Sequence, residues 1–292
     1  MKILARVVFG QKIARKFSVP TANLQILQKN FPPKFGVFAV KIIFKKKNFD
    51  GILFFGRKKN AKKISAEAHI FNFSREIYGE ILEIKIKKFC REIRDFPNFD
   101  ALFSQIKIDI LRAKKFFCRQ KIFEKWKNLS PEILKKLEKM AVEKILKNEK
   151  FLNSKKIFAF APTNFEINFS RIFADFPAKK FFFPRIEKNK MEFFAANFCD
   201  LKKNKFGILA PKKNLKNLEK NPDFVFVPAL AADKNFFRLG RGGGFFDRFL
   251  VKNSAPTLAI LPDFAVFEKI PVESHDEKID EILKIGKMVA DS

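Results

Sequence analysis

The chain has 292 residues, 47% of them apolar, which is enough for about two domains with packed cores. Its formal net charge of +29 would ordinarily indicate a nucleic acid or an anionic surface as partner. However, 41 Phe stand against one Tyr and one Trp, so a bias toward lysine and phenylalanine runs through the whole chain. This bias accounts for the charge without a polyanion. We expect no specific nucleic-acid partner, and nucleic-acid binding stays an alternative.

The cysteines and the apolar runs indicate the compartment. Cys90, Cys118 and Cys199 are odd in number and have no CxxC spacing, which argues against a disulfide framework or a zinc site. Residues 1–10 lack the apolar core of a signal peptide, and no run approaches the ~20 residues of a membrane span. We therefore expect a soluble, cytoplasmic protein with no membrane partner.

Residues 1–117 are predicted to consist mainly of strands. Short β-rich segments, separated by turn-forming residues, lie at 36–44, 51–55, 66–73 and 81–89. Closely spaced strands with short turns favour a barrel over a parallel sheet. Apolar residues then recur every three and four positions from Phe99 to Phe117, which predicts an amphipathic helix that closes this domain.

Three polar clusters stand out among these strands. Thr21 and Asn23 follow a proline, Glu67 and His69 alternate on one strand, and Tyr78 opens the next strand. Hydroxyl and amide oxygens suit Mg²⁺, and a nearby carboxylate can deprotonate an alcohol for phosphoryl transfer. Taken alone, Thr21 and Asn23 could equally be turn caps, and Glu67 could be a solvated strand residue.

The segments PTAN, EAHIFNF, YGE and QIKID resemble the riboflavin kinase family in order and spacing over residues 1–117. The resemblance implies an all-β Greek-key barrel with a closing helix, which transfers the γ-phosphate of ATP to the ribityl hydroxyl of riboflavin. No nucleotidyl-transferase domain precedes the barrel, so FMN and not FAD is the expected product. By motif position, the resemblance implies that Thr21 and Asn23 bind Mg²⁺ and phosphates and that Glu67 is the general base. It also implies that Arg15 and Tyr78 contact the nucleotide. Arg91 and Phe96 would contact the substrate.

A glycine cluster is the most distinctive feature of the second half. Gly240, Gly242, Gly243 and Gly244 are four of the eleven glycines in the chain, within the segment RLGRGGGFFDRF. They predict a turn that feeds a helix and presents free N–H groups to an anion. Flanking arginines add positive charge, at positions Arg238, Arg241 and Arg248. We interpret the segment as a phosphate-binding loop, with a flexible surface turn as the alternative.

Residues 118–292 are predicted to form an α/β domain. Ser130 is the expected N-cap of a helix whose buried face consists of Ile133, Leu134, Leu137, Ala141 and Ile145. Continuous apolar runs follow, separated by stretches long enough for helices, in KIFAFAP, KKFFFPRI, FVFVPAL and TLAILP. This alternation predicts three layers with a mostly parallel sheet. Ligands of such sheets bind at the carboxyl ends of strands, and the glycine loop follows the FVFVPAL strand.

This half resembles the 5-formyltetrahydrofolate cyclo-ligase family, in LSPE, PTNFEIN, FPRI, MEF, GILAP, the glycine segment and IPVESHD. The resemblance implies ring closure of 5-formyltetrahydrofolate to 5,10-methenyltetrahydrofolate, which consumes ATP and requires Mg²⁺. It implies that the phosphates of ATP are bound by two arginines and four glycines, Arg238, Arg241, Gly240, Gly242, Gly243 and Gly244. Arg241 would also be catalytic, and Asp247 would bind Mg²⁺. The folate would contact Glu166, Met191, Phe193 and Phe245. Lys115 and Arg119 match the family's basic pair, and a solvated basic face is the alternative for them.

Several positions depart from the two family patterns. Ala14 and Ser18 stand at usual glycine positions of the kinase, and Ala210 and Ala265 replace a glutamate and a glutamine of the ligase. The main hypothesis is a bifunctional enzyme with two Mg-ATP sites, acting on riboflavin and 5-formyltetrahydrofolate. The alternative is one active half with a degenerate partner that binds or stabilises.

Overall fold

The chain divides into two units, Met1–Phe117 and Cys118–Ser292. The computed structural model describes residues 1–10, 19–28, 32, 34–57, 64–188, 190–205, 207–215 and 217–286. Within these ranges there is no helix with the length and apolar character that crossing a bilayer requires.

The first unit contains a closed barrel, as the sequence predicts. Its strands are β1 (Lys2–Val8), β2 (Ala22–Ile26), β3 (Gly36–Phe44), β4 (Lys47–Arg57), β5 (Ile64–Ile70) and β6 (Ile81–Arg91). The strand order around the barrel is β1-β2-β5-β4-β3-β6, and every neighbouring pair is antiparallel. The predicted strand at 66–73 ends earlier, at Ile70, because Asn72 turns the chain with a φ of +56°.

Two apolar clusters hold this unit together. The barrel interior is filled by apolar side chains that are almost completely buried, such as those of Ile3, Leu53 and Leu82. The helix α1 (Phe99–Lys127) begins where the predicted helix begins and continues past Phe117. Its residues Ile110 and Phe117 pack with strand residues in a second cluster, which gives the helix its buried face.

The second unit opens with α2 (Pro131–Ile145) and α3 (Glu149–Asn153). Ser130 is the N-cap of α2, and its Oγ accepts a hydrogen bond from the Ile133 N–H at 3.3 Å, as predicted. Leu137, Ala141 and Ile145 are buried, but Ile133 is 47% exposed. The predicted buried face is wrong at Ile133, because the buried stripe of α2 starts one turn later along the helix.

A seven-stranded sheet forms the core of this unit. Its order is β12 (Leu218–Glu219), β9 (Lys190–Ala195), β8 (Lys180–Glu187), β7 (Lys156–Phe158), β13 (Phe224–Phe226), β16 (Thr257–Pro262) and β18 (Glu281–Ile285). The pairs from β8 to β18 are parallel, and the pairs β8–β9 and β9–β12 are antiparallel. The sheet is therefore mixed. The runs at β13 and β16 are buried throughout, as their unbroken apolar pattern predicts, but the FPRI end of β8 is not.

Short elements complete the unit. A two-stranded sheet pairs β10 (Lys202–Lys203) with β11 (Leu209–Ala210), and a three-stranded sheet has the order β15 (Arg238–Leu239), β14 (Ala231–Asp233) and β17 (Val266–Phe267). The remaining helices are α4 (Ile172–Asp175) and α5 (Phe245–Leu250), with 3₁₀ turns at Phe198–Asp200 and Asp263–Ala265.

Candidate active sites

The glycine loop lies between β15 and α5, so the predicted turn that feeds a helix is present. Gly242 and Gly244 have φ values of +101° and +64°, and Gly244 is the N-cap of α5. A Cβ on Gly243 would stand 2.9 Å from the ring of Phe245. Glycine is required here both by backbone conformation and by space.

The loop does not directly follow the FVFVPAL strand, which corrects the predicted placement. The hairpin β14–β15 intervenes, and the buried Asp233 organises it. One carboxylate oxygen of Asp233 accepts the N–H groups of Asn235 and Phe237 at 2.9 and 3.1 Å, and the other accepts the Ile270 N–H at 3.2 Å. An aspartate that bonds the backbone two residues on is a turn signal. Asp233 carries this signal in the sequence, but sequence reasoning missed it.

Arg238 lies beneath the loop and contacts Asp247. The Arg238 Nη1 atom is 3.0 Å from Asp247 Oδ1, and the two side chains are 2% and 14% exposed. The same oxygen accepts the Glu277 N–H at 3.3 Å. Among the described residues, Arg238 Nε has no hydrogen-bond partner. The pair therefore ties the loop, α5 and the segment around Glu277 together.

Arg119 approaches the loop from α1. Its Nε donates to the carbonyl oxygen of Gly240 at 2.8 Å, and its guanidinium nitrogen lies 3.5 Å from the Cβ position of Gly242. Burial lowers the pKa of the Arg119 guanidinium. Lys115, one helical turn earlier, is buried, whereas Arg119 is half-buried. The burial of Lys115 disfavours the alternative of a solvated basic face.

Arg241 joins the loop to the segment that carries Glu166. Its Nη2 donates to Thr163 Oγ1 and lies 3.5 Å from Glu166 Oε2. Thr163 also donates to Glu166 Oε2, from its backbone N–H at 3.0 Å and from its hydroxyl at 2.6 Å. The structure thus brings together two predicted site residues. Thr163 was missed, although it lies in the quoted PTNFEIN segment.

The three apolar residues predicted to contact folate are in different settings. Phe193 is in the core, stacked on Phe158 at 4.1 Å and packed against Phe249 at 5.1 Å. Met191, two residues earlier on β9, is half-buried. Phe245 is half-buried on α5, with the Arg248 guanidinium 4.8 Å from its ring centroid.

In the barrel, β2 and β5 place Asn23 opposite Glu67 in register. The Asn23 amide lies against Gly10, where a Cβ would stand only 1.9 Å from the amide nitrogen. Ser65 Oγ donates to Glu67 Oε1 at 3.2 Å, and Thr21 is half-buried just before β2. Two of the predicted clusters therefore meet across neighbouring strands. Arg15, Ala14 and Ser18 lie outside the described residues.

His69, which lies two residues after Glu67 on β5, contacts the turn that precedes Thr21 and Asn23. His69 Nδ1 donates to the carbonyl oxygen of Pro20 at 2.7 Å, directly before Thr21. Burial lowers the pKa of His69, although its hydrogen bond to Pro20 acts in the opposite direction. The hydrogen bond fixes the turn that carries Thr21 and Asn23.

Tyr78 has an aromatic partner that sequence reasoning missed. Its ring stacks on Phe9 with centroids 4.2 Å apart, and Phe9 is 76% exposed. Gly79, with a φ of +78°, donates its N–H to the Val7 carbonyl at 2.8 Å and holds the tyrosine beside β1. The only sequence signal for Phe9 is an aromatic residue directly before Gly10.

Arg91 and Phe96, predicted to contact substrate, lie close together. The Arg91 guanidinium is 5.8 Å from the Phe96 ring centroid and forms a salt bridge with Asp109, Nη2 to Oδ2, at 2.7 Å. Asp109 is buried on α1, and Gln105 donates to its Oδ1 at 2.7 Å. The role of Asp109 as the partner of Arg91 was missed, because spacing along the chain does not reveal a partner on another element.

Oxygen donors are available at both sites for a magnesium ion. Among the described residues, there is no group of three or more His, Cys, Asp and Glu that could hold a metal. Mg²⁺ characteristically binds through one or two protein oxygens together with substrate phosphates and water. Asp247 in one unit, and Thr21 with Asn23 in the other, fit that sparse mode of binding.

The fold and the sites are together typical of a phosphate-binding enzyme with two units. One unit is a barrel with a polar cluster across two strands, and the other is an α/β unit with an arginine-lined glycine loop suited to phosphate. Residues 111–284 match the 5-formyltetrahydrofolate cyclo-ligase family, and the chain belongs to that family. Residues 1–117 match the riboflavin kinase family model.

Individual relatives cover one unit each. A bifunctional riboflavin kinase/FMN adenylyltransferase from Haemophilus influenzae is 38% identical over 40% of this chain and 38% of its own length. One from Buchnera aphidicola is 41% identical over 39% of this chain and 38% of its own length. The chain thus spans well under half of these relatives. The solved structure of a 5,10-methenyltetrahydrofolate synthetase from Aquifex aeolicus is 25% identical, with a TM-score of 0.54, over 61% of this chain and 94% of its own length.

Proposed function

We propose that the second unit cyclises 5-formyltetrahydrofolate to 5,10-methenyltetrahydrofolate at the expense of ATP. The observation that carries this proposal is the convergence of Arg119, Arg241 and Glu166 on the glycine loop. A loop that combines backbone N–H groups with arginines can neutralise a leaving phosphate, and a neighbouring buried carboxylate can orient a second substrate. Membership of the cyclo-ligase family supports the same reaction.

Each side chain of this unit then has a role. We assign the phosphates of ATP to the loop and the cations of the same unit, at Gly240, Gly242, Gly243, Gly244, Arg119, Arg238 and Arg241. Arg238, which is buried against Asp247, acts from beneath the loop. Glu166 orients the pterin through N–H groups, with Met191, Phe193 and Phe245 near it. Arg241 stabilises the charge that develops on the transferred phosphoryl group.

We further propose that the barrel phosphorylates riboflavin to FMN. Glu67 accepts the proton of the attacking hydroxyl, and the register that sets it opposite Asn23 brings a base and a phosphate ligand to one place. Tyr78 and Arg15 contact the nucleotide, and Arg91 with Phe96 contacts the flavin. The match of residues 1–117 to riboflavin kinase supports this assignment.

Magnesium completes both proposals. In the barrel Thr21 and Asn23 would hold the ion, and in the second unit Asp247 would hold it. When bound, it supplies positive charge next to the phosphates of ATP. Within the described part of the chain, Arg238 and the Glu277 N–H both bond Oδ1 of Asp247, so that Oδ2 is the atom we assign to the ion.

We also propose details of the fold, the cellular compartment and the small-molecule partners. We propose a Greek-key path for the barrel and a three-layer arrangement for the second unit. Cys90, Cys118 and Cys199 are free thiols, which suits a reducing compartment such as the cytoplasm. The partners we assign are small molecules, riboflavin and 5-formyltetrahydrofolate.

Two assays on the purified full-length chain test the proposal. One follows FMN formation from riboflavin, and the other follows the absorbance of methenyltetrahydrofolate. Glu67→Gln is expected to lower FMN formation by roughly 10²- to 10⁴-fold and to leave the folate reaction unchanged. Asp247→Asn is expected to lower the folate reaction by about 10²-fold or more and to leave FMN formation unchanged.

Matched controls separate chemistry from folding. Glu80→Gln and Asp175→Asn change the same residue types at positions outside the assigned sites, and both reactions should survive these changes. Loss of both reactions in either site variant would contradict two independent sites. An unaltered chain that performs only one reaction would reduce the other unit to a binding or stabilising module.

A further inference from the structure

Glu166 and Arg241 are each other's partner, and this pairing bears on how two substrates bind. The Glu166 side chain is 5% exposed, whereas Arg241 is 40% exposed at the rim of the glycine loop. Their side chains meet at Glu166 Oε2, 3.5 Å from Arg241 Nη2. Thr163 stands between them, because its hydroxyl donates to Glu166 and accepts from Arg241.

The proposed function gives these two residues different ligands. Glu166 is assigned to the pterin of the folate, and Arg241 is assigned to the phosphates of ATP. Arg241 Nη2 cannot bond Thr163 and Glu166 and also turn toward a phosphate. A phosphate that takes the hydrogens of Nη2 therefore displaces its contacts to Thr163 and Glu166.

We propose that Arg241 exchanges Glu166 for the nucleotide phosphates, and that this exchange makes folate and nucleotide bind cooperatively, with Thr163 as the positioning residue of the resting arrangement. The inference rests on the proposed function of the second unit. It adds a coupling between the two substrate positions, and it gives a role to Thr163.

The physical reason is the burial of the Glu166 charge. If Arg241 leaves for a phosphate while the folate is absent, a carboxylate that is almost fully buried loses the one cation that pairs with it among the described residues. Such a charge is strongly destabilising unless other donors replace the cation. The pterin carries amine and ring N–H groups that can donate to the carboxylate. Bound folate therefore lowers the free energy required to release Arg241.

The coupling is reciprocal by thermodynamic necessity. If folate helps the nucleotide to bind, the nucleotide helps the folate by the same factor. We expect a factor of roughly five or more, within the ordinary range for coupled sites. Folate affinity is the better readout, because the proposed barrel site also binds ATP but takes no folate.

The experiment is a calorimetric titration of 5-formyltetrahydrofolate into the full-length chain. It is performed with and without a saturating, non-hydrolysable ATP analogue and Mg²⁺. In the unaltered chain the Kd for folate should fall at least about five-fold when the analogue is present. In Arg241→Gln, and to a lesser extent in Thr163→Val, this ratio should approach one.

Thr257→Val is a matched control. The N–H and hydroxyl of Thr257 donate to one oxygen of Asp280 at 2.9 and 2.6 Å, which reproduces the geometry of Thr163 and Glu166 away from the loop. This variant should keep the coupling ratio of the unaltered chain. It therefore separates loss of a buried threonine hydroxyl in general from loss of this particular one.

The possible results separate failure of the proposed coupling from failure of the proposed cyclo-ligase function. Failure of the unaltered chain to bind folate under both conditions would overturn the proposed function and the inference together. Folate binding with equal affinity in the presence and absence of the analogue would overturn the inference alone. A full coupling ratio in Arg241→Gln would remove the role of Arg241, and a full ratio in Thr163→Val would remove the role of Thr163.

Discussion

Arg238 is a buried charge next to the glycine loop. Its side chain is 2% exposed and is paired with Asp247, and a Cβ on Gly240 would stand 3.9 Å from its Nη1 atom. Desolvation of such a pair often offsets its Coulombic attraction, so the pair is weak evidence for stability. The pair instead has a positioning role, because it holds Asp247 and the Glu277 backbone in fixed places beside the loop.

His69 leads to a prediction of pH dependence at the residue scale. Burial lowers its pKa below the ordinary 6.5, so the unfolded chain takes up a proton more readily than the folded chain does. The contribution of neutral His69 to stability is complete above about pH 6.5 and is lost as the pH falls from there through the lowered pKa of the folded chain. The nearby Lys114 acts in the same direction.

The measurement is chemical denaturation of the full-length chain between about pH 5.5 and 7.5, where histidine titrates. His69→Gln should flatten the fall in the free energy of unfolding toward the acid end. The control is His275→Gln, since His275 is exposed and its replacement should leave the slope intact. An unaltered slope in His69→Gln would show that another group is responsible.

At the scale of elements, the hairpin between β3 and β4 is made from unusual residues. The strands pair up to Phe44 and Lys47, so that only Lys45 and Lys46 form the turn. Both have positive φ, 47° and 66°, as a two-residue hairpin turn requires. Asn and Gly are the residues that such turns prefer. The lysine bias of the chain thus extends to positions where lysine is strained.

Replacement of Lys46 by glycine should relieve this strain. A residue with a Cβ costs about 1–2 kcal/mol in the left-handed region, and glycine loses part of that gain through its larger chain entropy. Lys46→Gly is expected to stabilise the barrel by about 1 kcal/mol, measured by urea denaturation. Lys47→Gly, placed in a strand, should destabilise it. If Lys46→Gly lowered the free energy of unfolding, the positive φ of Lys46 would not be a source of strain.

At the scale of the whole molecule, the net charge of +29 is the dominant property. Charge of one sign far from zero destabilises a folded chain through self-repulsion. Ions screen this repulsion over about 10 Å at 0.1 M salt. The surface salt bridges, such as Lys2 with Glu83 at 2.7 Å, respond to salt in the opposite direction but contribute little each.

We therefore expect the melting temperature to rise when NaCl is increased from about 0.01 to 0.1 M, a range over which the screening length shortens from about 30 to 10 Å. Differential scanning fluorimetry measures the shift, and an uncharged osmolyte serves as control for effects other than screening. A melting temperature that falls with salt would mean that local ion pairs outweigh the repulsion.

Much of the fold was accessible from the sequence, because it depends on local pattern. A short β-rich segment between turn-forming residues located β3 at Gly36–Phe44, and unbroken apolar runs located the buried strands β13 and β16. The N-cap at Ser130 was readable for the same reason, since the capping atoms lie three residues apart. The glycine loop was evident from the clustering of four of the eleven glycines in one short segment.

Other features depend on contacts between residues far apart in the chain, and only the tertiary structure decided them. The sequence and its family resemblance predicted Glu166, Arg241 and Asp247 as site residues, but not that Arg241 pairs with Glu166 or that Arg238 pairs with Asp247. Local patterns record which face of an element is buried. They do not record which side chain of another element neutralises a buried charge, because that choice is made by packing.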